Sequence, residues 1–95
     1  MSTRSTIRIE TPEFKSKAIY CHWDGYPSNM KPMLENYDTV EKAKELINLG
    51  DLSRLGDDTE SCVAYCRDRG EAKAWGGDGR QEYNYSFNGT FWEVI

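Results

Sequence analysis

Ninety-five residues with 29% charged side chains of both signs and only 38% hydrophobic content predict one small folded domain, since two cores would each be too small to stand alone. Twelve Lys and Arg against sixteen Asp and Glu leave a net charge of -4 and no cationic run, which argues against nucleic acid as a direct partner. The N-terminal MSTRSTIRIE lacks the apolar stretch of a secretory signal, and no segment approaches the roughly 18 apolar residues of a membrane span. The odd set Cys21, Cys62 and Cys66 then predicts free thiols in a reducing cytoplasm and not a disulfide framework.

Six Tyr, three Trp and three Phe compensate for the low apolar content, because each buried ring removes roughly 150–250 Å² from water. In chain order, RSTIRIE (4–10) alternates, Ile7 and Ile9 on one side and Thr6, Arg8 and Glu10 on the other, which predicts a half-buried strand. Pro12 suits a turn, and AIYCHW (18–23) predicts the second strand of a hairpin. DGYPSN (24–29) is loop chemistry. Ser28 or Asn29 is the expected cap of a first helix through Met30, Met33, Leu34 and Tyr37, with Pro32 tolerable only in its first turn.

A second helix is expected from Val40, capped by Asp38 or Thr39, with a Val40, Ala43, Leu46 and Ile47 stripe and Gly50 as its left-handed stop. DLSRLG (51–56) reads as a tight turn whose Leu52 and Leu55 tuck onto the core. CVAYCRD predicts a strand, the GGDG stretch a surface loop, and EYNYSF–Asn88–Gly89–TFWEVI a hairpin closed by a type I′ turn. The expected architecture is α+β: a small antiparallel sheet with two short helices packed on one face, in the order ββααβββ.

Candidate sites follow from residue type. Cys21 and His22 are neighbours on a strand, so they point to opposite faces and cannot form a nucleophile–base pair with each other. Cys62 and Cys66, on one extended strand, would lie about 13 Å apart, too far to share a tetrahedral metal. No metal site, catalytic residue or cofactor is therefore assigned. Arg67, Asp68 and Arg69 could clamp a phosphate or carboxylate, or could be a turn in which Asp68 neutralises both arginines. His22 or Asp24 fixes a loop, while the aromatics Trp23, Tyr26 and Trp75 are candidates for a binding surface. Tyr83, Tyr85 and Phe87 share one face by parity and read as core.

Four motifs carry a resemblance: IYCHWDGY (19–26), ELINLGDLSRLG (45–56), AYCRDRGE (64–71) and the closing YNYSFNGTFWEV. They resemble a family of small uncharacterised proteins of tailed bacteriophages and prophages. The pattern departs between Gly56 and Cys62, where a longer segment is expected. The resemblance implies residence in the cytoplasm of an infected or lysogenic bacterium and a non-enzymatic accessory role. A host bacterial protein is the expected partner, within a defence system that the phage blocks. The alternatives are sequestration of a nucleotide second messenger by Arg67 and Arg69 with stacking on Trp23 or Trp75, and, last, a Cys21 or His22 enzyme.

Overall fold

The N-terminal alternation becomes the middle of a sheet. In the computed structural model, which describes residues 3–11, 14–77 and 79–95, β1 (Ser5–Thr11) pairs antiparallel with β2 (Phe14–Cys21). Ile7 faces Ile19 and Ser5 faces Cys21. Ile7, Ile9, Ile19 and Cys21 are fully buried, as period-2 geometry requires of one sheet face. The expected turn at Pro12 lies outside the described residues.

Two helices cover that face. The first, α1 (Pro27–Leu34), starts earlier than its sequence suggested: Tyr26 is the N-cap and Pro27 occupies the first turn. Pro32 consequently sits in the helix interior, where it has no N–H to offer the Ser28 carbonyl, and the helix ends at Leu34. Met30 and Leu34 are buried against the sheet. The second, α2 (Val40–Ile47), has Thr39 as its cap, with Oγ1 accepting from Lys42 N at 3.2 Å. Ala43, Leu46 and Ile47 form its buried stripe, and Gly50 turns the chain at φ +79°, as expected.

The remainder departs from expectation. The chain is α+β, but among the described residues it builds a six-stranded mixed sheet in the order β4-β3-β2-β1-β5-β6 with three helices. The expected small antiparallel ββααβββ sheet is corrected on both counts. DLSRLG is not only a turn: Leu52–Arg54 is strand β3, running parallel to β2 with Leu52 beside Cys21. Together α1 and α2 supply the crossover that a parallel neighbour demands. Leu52 and Leu55 are buried, as foreseen.

CVAYCRD divides as well. Val63–Ala64 is the short strand β4, antiparallel to β3, and Tyr65–Arg69 is helix α3. The physical cause is local: Asp68 Oδ2 reaches back to Ala64 N at 2.7 Å, satisfying an N-terminal donor that a strand would have used otherwise. Gly70, at φ +70°, then ends the helix.

The terminal hairpin of β5 (Tyr83–Phe87) and β6 (Trp92–Val94) forms, with Tyr85 and Phe87 in the core. Its turn is longer than a type I′ pair, since Phe87 faces Trp92. Only Gly89 there has positive φ, and Asn88 instead accepts from Thr90 N and Phe91 N through Oδ1. β5 lies parallel to β1, with Ile7 beside Tyr85.

Below β3, the outer edge of β2 is sealed without a strand. Asp51 Oδ1 accepts from Tyr20 N at 3.0 Å and from Gly76 N at 2.6 Å, and Gly77 N donates to Ala18 O at 3.2 Å. A Cβ on Gly77 would come within 2.6 Å of Ala18, so glycine is what lets the segment lie this close. No described helix is long and apolar enough to cross a membrane.

Candidate binding surface at the end of strand β2

The loop leaving β2 is tied down at nearly every backbone group. His22 N donates to Leu52 O at 3.1 Å and Trp23 N to Ser53 O at 3.0 Å, which extends the β2–β3 pairing past Cys21. Gly25 N donates to Thr3 O at 2.9 Å, and its carbonyl accepts from Tyr85 OH at 2.7 Å. Asn29 Nδ2 donates to Asp24 O at 2.8 Å. Asp24 itself holds φ +57°, the sole non-glycine with positive φ among the described residues. A short polar side chain tolerates that conformation better than a branched one. Gly25 packs against β1 so closely that a Cβ would meet Ser5 at 2.7 Å.

This framework holds large rings in solvent. Trp23 is 43% exposed and Tyr26 40%. A depression of about 350 Å³ opens beside Trp23, lined by Asp24, Ser53, Arg54, Val63 and Arg69. Arg54 approaches Asp24 Oδ2 at 3.6 Å with most of its side chain in water. The Arg69 guanidinium lies 5.4 Å from the centre of the Tyr65 ring and forms no ion pair among the described residues. Two arginines against one carboxylate give a locally cationic patch on an acidic protein.

Of the residues singled out by sequence, Trp23, Asp24 and Arg69 converge here. His22 stands behind them, its ring edge-on to Trp23 at 4.8 Å and its Nδ1 2.6 Å from Tyr20 OH, so it supports the Trp23 ring. Tyr26 caps α1 outside the depression. Arg67 and Asp68 turn away and are internally satisfied. Arg67 bonds both Asp68 oxygens, each at 3.0 Å, and the carbonyls of Thr59 and Cys62, each at 2.7 Å. The Arg67 guanidinium, with help from Ala64 N–H, holds the Asp68 carboxyl below its ordinary range. The neutralised-turn reading therefore describes this pair, with Asp68 matching Arg67 alone. Trp75 is also structural: its Nε1 donates to Ile47 O at 3.2 Å at the end of α2, and Lys17 Nζ sits 4.1 Å from its ring centre.

Arg54 and Ser53 were missed. Nothing local marks them, because β3 is three residues long and a register shift between Leu52 and Arg54 breaks its alternation.

Cys21 and Cys62 are placed for packing. Cys21 is fully buried, and burial pushes its pKa up to about 12, the reverse of what a nucleophile requires. Cys62 Sγ accepts from Gly56 N at 3.2 Å and lies 3.5 Å from Tyr37 OH. Comparison with protein-family models, curated proteins and solved structures finds no match.

Proposed function

We propose that this is a phage accessory protein that binds a host bacterial protein, within a host defence system, through the Trp23 surface. The observation carrying the reading is Trp23: a large ring left 43% exposed by a loop whose backbone is bonded to β3, to the N-terminal segment, to α1 and to β5. Holding an aromatic rigidly in water costs free energy, and interface hot spots of this type recover it on desolvation. Arg54 and Arg69 beside it suit carboxylates on the partner. The motif resemblance supplies the phage and host setting.

Affinity capture from a bacterial lysate tests this reading. The protein should retain a discrete partner, and Trp23→Ala with Arg69→Ala should release it while the fold melts unchanged. Retention of nothing, or a partner indifferent to both substitutions, would count against it.

The same depression favours a second reading. About 350 Å³ lies within the range of small-ligand sites, and Trp23 beside Arg54 and Arg69 offers a ring to stack on and cations for a phosphate. Arg54 then takes the part expected of Arg67. A cyclic or linear nucleotide at a hundred times its dissociation constant should add about 2.7 kcal/mol of stability. An unchanged melting temperature across a nucleotide set removes this reading.

A further inference from the structure

Among the described residues the sheet ends at β6, and the hydrogen-bond register there turns backbone groups away from β5. Ile95 N donates to Asn84 O at 2.8 Å, Asn88 N donates to Phe91 O at 3.2 Å, and Ser86 faces Glu93. The alternation of an antiparallel ladder then directs the N–H and C=O of Trp92 and Val94 away from β5. Edge strands are commonly guarded by proline, charge, a bulge or brevity. β6, Trp-Glu-Val in regular register with β5, is short and carries Glu93 but has no proline, lysine or bulge, and Phe91 is 55%, Val94 47% and Ile95 46% exposed.

Alongside this edge runs a groove of about 520 Å³ between β6 and α1, with Phe91, Trp92 and Val94 as its apolar surface and the buried Leu34 beneath. Charges at the groove are mainly acidic, Glu35, Asp38 and Glu93 against Lys31, and Lys42 partly offsets Asp38 at 3.5 Å. The two faces of β6 differ. Trp92 and Val94 pair with Phe87 and Tyr85 and share their core-side face, while Glu93 pairs with Ser86 on the other.

We propose that β6 accepts an extended segment of another protein, alternating apolar with basic side chains, as a seventh strand of the sheet. Backbone pairing to Trp92 and Val94 would supply affinity, and the alternation would supply specificity. Apolar side chains enter the groove over Trp92 and Val94, while the alternate, basic ones meet Glu93. A second copy of this chain fits less well. The antiparallel register that joins Trp92 of one copy to Val94 of the other sets Glu93 directly opposite Glu93, and like charges so placed are destabilising. This edge shares no lining residue with the Trp23 depression, so the inference stands independently of the reading above.

A short synthetic peptide of alternating valine and lysine is the probe, titrated calorimetrically with the full chain. Saturable binding is expected, with amide shifts at Trp92–Val94. N-methylation of the peptide's pairing amides should weaken it at least about tenfold, as should replacement of lysine by glutamate. Val94→Pro removes an outward N–H that β5 does not use, so it should weaken binding about tenfold while the melting temperature holds. Glu93→Lys should weaken it as well, and Trp23→Ala should not. Absence of binding, or binding indifferent to N-methylation and to Glu93→Lys, would overturn the proposal. So would sedimentation showing a dimer of the free protein that Val94→Pro dissolves, which would give the edge to a second copy.

Discussion

The Cys21 thiol lies beneath the Trp23 loop and donates to the Trp23 carbonyl at 3.6 Å, with burial raising its pKa from 9.0 to about 12. An acid whose folded pKa is raised keeps its proton in the folded state while the unfolded chain loses it. Its contribution to stability is therefore complete below pH 9 and is lost as pH climbs toward 12. Tyr85, raised by burial to about 12, acts in the same direction. Thermal melts should fall across that alkaline limb, and iodoacetamide at neutral pH should modify the half-buried Cys66 well before Cys21 or Cys62. Asp24 gives a second prediction. At φ +57°, Asp24→Val should cost about 1–2 kcal/mol in denaturant unfolding and Asp24→Gly close to nothing. Equal losses would mean that side-chain contacts and not backbone conformation fix the residue. The loop at Asp24 and Gly25 was legible in the sequence because Asp-Gly and proline declare their backbone needs. Arg54 was not legible, since its place beside Asp24 depends on a strand pairing with no local signature.

At the scale of elements, the same contrast separates what could be read from what could not. The β1–β2 pairing, α2 with its Thr39 cap and Gly50 stop, and the closing hairpin all carry periodicity or capping chemistry within themselves, and all are present. β3 and α3 carry little: one is three residues held by the edge of β2, and the other depends on Asp68 reaching back to Ala64 N. The parallel pairs β1–β5 and β2–β3 were invisible for the same reason, because direction is decided by crossovers and not by composition. Asp51 is the element-scale residue that matters most. Its carboxylate replaces a missing strand along β2 by accepting from Tyr20 N and Gly76 N. Asp51→Ala strands those donors and should cost about 1–3 kcal/mol, with faster amide exchange at Tyr20 and Gly76. Asp51→Asn keeps an acceptor oxygen and should retain most of the protection. Identical loss in both variants would assign the effect to charge.

Across the whole molecule, one core joins α1 and α2 to Ile7, Ile9, Ile19, Tyr85 and Phe87, and the surface carries two unlike features that bear on binding. One is the cationic, aromatic depression at the end of β2, and the other is the acidic, apolar edge at β6. Both are products of the mixed topology: the first needs β3 to bring Arg54 to Asp24, and the second needs β5 and β6 to be the last strands on their side. The functional reading depends on the first being preformed, so that a partner meets Trp23 already in place. Amide hydrogen exchange on the free protein measures this most directly. The His22, Trp23 and Gly25 amides should exchange as slowly as those of the adjoining β2–β3 pairing, at the level of local or global opening. Exchange of these amides at the rate of an unstructured peptide, while β1 and β2 stay protected, would contradict a rigid binding loop.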